Sequence, residues 1–137
     1  MPLPEPQIVI PKCTVSDVID GDTVELELRR KVRVRLKDVW APESRMTRHP
    51  SEKALGLQAK DILHWIAMGE ECVLRVTPDG DEDLGDGLTF GRVVGEVHLK
   101  SELSLNEFMI ASGQAFRTKQ ELEEYLTEQD REHHDAM

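Results

Sequence analysis

Aromatic side chains are scarce: two tryptophans, one tyrosine and three phenylalanines make up 4% of the chain. Extended base-stacking platforms and aromatic cages for cationic ligands need several rings, so the composition disfavours both. Cysteine is nearly absent. Cys13 and Cys72 are too few and too distant for a zinc site or a disulfide framework. Buried free thiols are the simplest reading, and a bridge between them would need an oxidising compartment. No apolar run approaches the roughly 20 residues that cross a bilayer, and Met1-Pro2-Leu3-Pro4-Glu5-Pro6 carries no charged-then-apolar leader. The sequence therefore predicts a cytoplasmic protein with no membrane attachment, and a monomer by default. Positive charge is also in deficit, since 17 Lys and Arg stand against 27 Asp and Glu, leaving -10. Such a surface does not bind phosphate backbones indiscriminately.

The charges that are present are not evenly spread. Arg29, Arg30, Lys31, Arg33, Arg35 and Lys37 fall within nine residues, whereas acids gather at 79–86 and in the C-terminal tail. A cationic strip on an anionic body can still select phosphate at short range. With 137 residues, one domain with one core is expected.

Patterning along the chain gives the element order. Residues 1–11 carry four prolines and read as an extended arm. From Cys13, through Val15, Val18 and Ile19, a strand runs into the turn signal Asp20-Gly21-Asp22. Val24, Leu26 and Leu28 alternate with Glu25, Glu27 and Arg29, and Val32, Val34 and Leu36 alternate with Arg33, Arg35 and Lys37. Pairing Leu28 with Val32, Leu26 with Val34 and Val24 with Leu36 puts the six apolar residues on one face. It sets Glu27 opposite Arg33 and Glu25 opposite Arg35, around the loop Arg29-Arg30-Lys31.

Helical spacing follows Pro50. Ser51 is a candidate cap, Leu55, Ala59, Ile62 and Ile66 line one side, and Gly69 supplies the stop. Cys72, Leu74 and Val76 mark a fourth strand, and Phe90-Gly91-Arg92-Val93-Val94 a fifth. Ser104 and Glu107 form a capping box for a helix ended by Gly113, and 118–132 reads as an acidic helix that frays from Glu132. Five strands with a helix between the third and fourth, then one or two C-terminal helices, is the order of a five-stranded OB barrel, an α+β fold. The domain would span 12–117, with 118–137 as an acidic helix and tail.

Three segments together resemble the thermonuclease (staphylococcal-nuclease-like) family: Ile19-Asp20-Gly21-Asp22-Thr23-Val24, Arg35-Leu36-Lys37-Asp38-Val39-Trp40-Ala41-Pro42-Glu43, and Phe90-Gly91-Arg92. Leu105-Asn106-Glu107 and Gly113-Gln114-Ala115 fit the family's later helix and its end. The likeness covers about residues 12–117 in the family's order. It implies an OB-fold nuclease that hydrolyses DNA or RNA with calcium. By match, Asp22 would be a metal carboxylate, Arg35 and Arg92 would bind the scissile phosphate, and Glu43 would be the general base or a water-positioning carboxylate. These residue types suit the chemistry. Attack on a phosphodiester builds charge on the non-bridging oxygens, and guanidiniums meet it bidentately. A hard cation on carboxylates offsets the same charge and polarises water.

One position departs from the pattern. The family's second metal carboxylate falls at Trp40, and an indole cannot ligate a hard cation. Ala41 would still offer its backbone carbonyl, and Asp38 could compensate, because the predicted register puts it opposite Asp22. Strict alternation also sets Arg35 on the face opposite Leu36, so Asp22 and Arg35 meet only where the barrel curls or a bulge intervenes. Trp40 either packs on the barrel and helix or stacks on a base.

Taken singly, each feature has an ordinary structural reading: a tight turn at Asp20-Gly21-Asp22, exposed strand cations at Arg35 and Arg92, a strand-ending loop at Pro42-Glu43. The run Asp79, Asp81, Glu82, Asp83 and Asp86 fails as an EF-hand, because Leu84 and Phe90 stand where Gly and Glu are required. His133-His134 reads as tail. The expected function is a calcium-type phosphodiesterase acting on DNA or RNA and weakened at Trp40. The alternative is a catalytically impaired OB module binding single-stranded nucleic acid or a protein partner. A third is a silent domain that recognises a peptide.

Overall fold

The computed structural model describes residues 8–28, 31–45, 47–76 and 92–135. Five strands close into a barrel: β1 (Ile8–Asp20), β2 (Thr23–Glu27), β3 (Lys31–Leu36), β4 (Glu71–Val76) and β5 (Arg92–Leu99). The order around the barrel is β1-β2-β3-β5-β4, with β4 returning to β1; only β3 and β5 run parallel. Helix α1 (Glu52–Ala67) joins β3 to β4, and α2 (Leu105–Ala111) and α3 (Lys119–Asp135) follow β5. This is the OB-type α+β architecture that the element order predicts.

β1 closes the barrel by serving two neighbours. Its first half pairs with β4 and its second half with β2. Val15 and Val18 are three residues apart, so strict alternation would point them to opposite faces. A register slip between Val15 and Asp17 lets both enter the core. A second slip, between Val18 and Asp20, bends the strand end that leads into Asp22.

Several expectations are corrected. Residues 8–11 belong to β1 rather than to an arm, because Ile8, Val9 and Ile10 pair with Val76, Arg75 and Leu74. The β2–β3 hairpin is tighter than predicted: Glu27 faces Lys31, Glu25 faces Arg33, and Arg35 faces Thr23. The slip is two residues, so Val24, Leu26, Val32, Val34 and Leu36 still point inward. On α1 the buried stripe is Glu52, Gly56, Ala59, Leu63 and Ala67, with Leu55, Ile62 and Ile66 only half-buried beside it. Ser51 makes no side-chain cap; its hydroxyl donates to Asp130 at 2.7 Å. α3 continues past Glu132 to Asp135.

Other local signals hold as read. Ser104 Oγ accepts the Glu107 N–H at 3.2 Å, and Gly69 and Gly113 take φ of 77° at the helix ends. Cys13 and Cys72 are register partners and free buried thiols, and burial pushes the Cys72 thiol up to about 12. Among the described residues no helix is long and apolar enough to cross a membrane. The basic tip at Arg29 and Arg30, the acidic run at 79–86, Phe90, Gly91 and the side chains of Arg92, His133 and His134 lie outside the described residues.

Candidate active site

One rim of the barrel gathers the β1–β2 turn, the end of β3, segment 39–44 and the first turns of α1 and α3. They enclose a cleft of about 170 Å³, and Asp22, Arg35, Trp40, Ala41 and Glu43 all line it.

Asp22 sits in the turn before β2, and its carbonyl accepts the Leu36 N–H at 2.7 Å, tying the turn to β3. Each of its carboxylate oxygens accepts one hydrogen bond. Oδ1 accepts from the Thr23 hydroxyl and Oδ2 from the Ala41 N–H, each at 3.0 Å. Burial holds the Asp22 carboxyl above the usual aspartate range, opposed by the Ala41 N–H, the Arg35 charge and the Thr23 hydroxyl.

Asp22 and Arg35 meet because the hairpin register places Arg35 across from Thr23, the residue after Asp22, beside the bent end of β1. The Arg35 guanidinium donates to the Val39 carbonyl at 3.4 Å, and its carbon lies 3.8 Å from the centroid of the Trp40 ring. Trp40 itself is pinned by its backbone, which exchanges hydrogen bonds of 2.7 and 2.9 Å with Phe116. Its ring therefore does more than pack: it forms a cation–π wall for Arg35.

Glu43 is exposed to the cleft. Its carboxyl is raised above the ordinary glutamate range by partial burial, then by the neighbouring charges of Glu52, Asp20 and Asp22, with Arg48 opposing. A carboxylate so surrounded is a better proton acceptor than a free one.

Asp38 is not brought to this cleft. The two-residue register difference moves Leu36, not Asp38, beside Asp22. Asp38 turns away with φ of 55° and lines a separate pocket with Lys37, Glu96 and Arg117. Arg92 opens β5 beside Arg33, and its side chain lies outside the described residues.

The sequence reading missed the cleft's other charged residues. Asp20 accepts from Ser44 Oγ at 2.6 Å, and Glu52, Arg48, Lys119 and Glu123 complete the wall. Glu52 carried a weak signal, an acid in the first turn of a helix. Lys119 and Glu123 carried none, because they reach the cleft only through the packing of α3 against segment 48–51. Arg48 pairs with Glu123, while His49 bridges Glu123 at 2.9 Å and Asp130 at 2.8 Å.

Residues 33–136 match the family model described as staphylococcal nuclease homologue. Two similar relatives are each described as an uncharacterized endonuclease, one from Escherichia coli and one from Escherichia coli O157:H7. Each is 26% identical over 103 residues, covering 74% of this chain and 58% of the relative. The chain thus spans somewhat more than half the length of those relatives.

Proposed function

Because the chain belongs to the staphylococcal nuclease homologue family, we propose that it is a nuclease hydrolysing phosphodiester bonds of DNA or RNA at this cleft. The observation that carries the reading is the convergence of Arg35, Asp22 and a proton-affine Glu43, 22 to 43 in sequence, on one small rim.

In this reading Glu43 takes a proton of the attacking water as the new P–O bond forms, the bond from phosphorus to the leaving sugar oxygen breaks, and that oxygen takes its proton from solvent. Arg35, oriented by the Trp40 ring and the Val39 carbonyl, receives the charge that grows on the non-bridging oxygens. Arg92, two strands' width from Asp22 at the mouth of β5, is the second candidate phosphate ligand. Asp22 holds the 40–41 segment against the turn through the Ala41 N–H. One face of Trp40 is covered by Arg35, so at most the other is open to a base.

Calcium is the family's expected ion, and the donor set here does not fit a tightly held one. Calcium takes six to eight oxygens. Each Asp22 oxygen already accepts one hydrogen bond, the Trp40 side chain contributes no donor, and Asp38 lines another pocket. Among the described residues no group of three or more ligating side chains is arranged for a metal. No step is therefore derived through the ion.

This misfit favours one other reading, a module that binds nucleic acid without turnover. The two separate on incubation with labelled single-stranded DNA, duplex DNA and RNA, with added calcium or chelator, beside Glu43→Gln. Cleavage that falls about 100-fold or more in the variant supports the nuclease. Salt-sensitive binding without cleavage supports the module, and neither outcome removes both.

A further inference from the structure

We propose that Glu52 is a positioning residue that fixes the loop carrying Glu43 against the first turn of α1, an inference that rests on the reading of Glu43 as the base.

Glu52 is the first residue of α1, and it is buried, with 4% of its surface exposed. Acids in a first helical turn ordinarily stay in solvent, where they meet the helix dipole. Glu52 instead turns back on the preceding loop. Its Oε2 accepts the Glu43 N–H at 3.2 Å and its Oε1 accepts the Arg48 N–H at 2.8 Å. One carboxylate thus ties both ends of segment 43–48 and closes it into a ring. Burying a carboxylate is unfavourable unless its oxygens are satisfied, and here two backbone donors that would otherwise lack partners satisfy them.

The next turn of the same helix face supports the loop from below. A Cβ at Gly56 would lie 2.3 Å from the Glu43 carbonyl oxygen, so the loop rests directly on the helix backbone. Glu52 and Gly56 are four apart and belong to one buried stripe. The far side of the ring is held by His49, which bridges Glu123 and Asp130 of α3. The Glu43 backbone is therefore fixed from two sides, while its carboxylate remains open to the cleft.

Glu52 also lines the same cleft as Glu43.

The test uses the full chain with Glu52→Gln and Glu52→Asp. Gln keeps the shape and removes the charge and one acceptor oxygen; Asp keeps the charge and withdraws it from the loop. Steady-state cleavage of a single-stranded oligonucleotide is measured across pH, and exchange of the Glu43 and Arg48 amide protons is followed by NMR. In Glu52→Gln, kcat falls about 10- to 100-fold through misplacement of the base, while KM changes less than about threefold. Glu52→Asp loses kcat likewise, because its shorter side chain no longer reaches both amides. In both, the two amides exchange roughly tenfold faster or more, with the β2–β3 amides unchanged.

Unchanged protection of both amides, or an unchanged kcat in Glu52→Gln where wild type cleaves, overturns the proposal. If amide protection is lost but wild type cleaves no polynucleotide, Glu52 still positions the loop and the nuclease reading is what falls.

Discussion

The Arg35 guanidinium lies over the Trp40 ring, its carbon 3.8 Å from the ring centroid, in a cleft that the Asp22 carboxylate also lines. The ring and the carboxylate charge both act on that one cation. A cation–π contact contributes about 0.5–2 kcal/mol depending on solvent access. Trp40→Leu removes that contact while leaving the backbone bridge to Phe116 intact. The expected outcome is a KM for oligonucleotide raised about three- to tenfold, with kcat less affected and little change in melting temperature. A KM equal to wild type would mean that the Trp40 ring does not orient Arg35.

Trp40→Asp tests the other consequence of the same ring. It adds an anionic oxygen donor beside Asp22 and the Ala41 carbonyl, where calcium affinity should follow ligand charge. Titration calorimetry should find weak binding in wild type and binding tighter by roughly tenfold or more in the variant. Equal affinity in the two proteins would show that position 40 does not govern ion binding in this cleft.

How far the sequence discloses this arrangement depends on the range of each interaction. Alternation of Val24, Leu26, Val32 and Val34 reveals the hairpin, and the spacing of Ser104, Glu107 and Gly113 reveals α2, because both signals are local. Register is a weaker signal. A shift by two residues preserves the apolar face, so the charge pairs alone had to decide it, and Glu25 is as well placed opposite Arg33 as opposite Arg35. That ambiguity put Asp38 in the wrong place. The convergence of Asp22, Arg35 and Glu43 was legible only through family resemblance. Glu52 left only the weak signal of an acid in a first helical turn, and Arg48 and Glu123 were not legible at all, since a contact across 75 residues leaves no periodic trace.

Asp22 illustrates a site residue held at the expense of stability. Burial raises its pKa above the unfolded value, so the folded protein holds that proton more tightly than the unfolded chain. Its stabilising contribution is present below the ordinary aspartate value, about 3.9, and is lost as pH rises through the elevated folded value. Above that window the ionised, buried carboxylate is a net burden. Asp22→Asn should therefore raise the melting temperature at pH 7 by roughly 2–6 °C while reducing cleavage. The gain should disappear below about pH 4. A lower melting temperature for the variant at neutral pH would contradict this assignment.

His49 ties segment 47–51 to α3, and its pKa is raised as that of Asp22 is, but by favourable contacts rather than by burial. Glu123 and then Asp130 hold its pKa above the ordinary value; the His49 contact lowers Glu123, while the Ser51 hydroxyl, then the Ser51 N–H and His49, lower Asp130. The His49 contribution is complete below its unfolded value of about 6.5 and is lost as pH rises through the folded value. The carboxylate contributions persist at high pH and are lost as pH falls through their depressed values. Between those limits the imidazolium meets two ionised partners, with Arg48 adding to Glu123 and Ser51 to Asp130. His49→Gln keeps a polar side chain of similar reach and removes the charge. Its melting temperature should fall below wild type by about 2–4 °C near pH 6, and the difference should shrink as pH rises past the folded value. Calorimetric scans of both proteins at pH 6 and pH 9 measure this directly. A deficit that is the same at both values would mean that the clasp depends on shape and hydrogen bonding, with the charge on His49 contributing nothing.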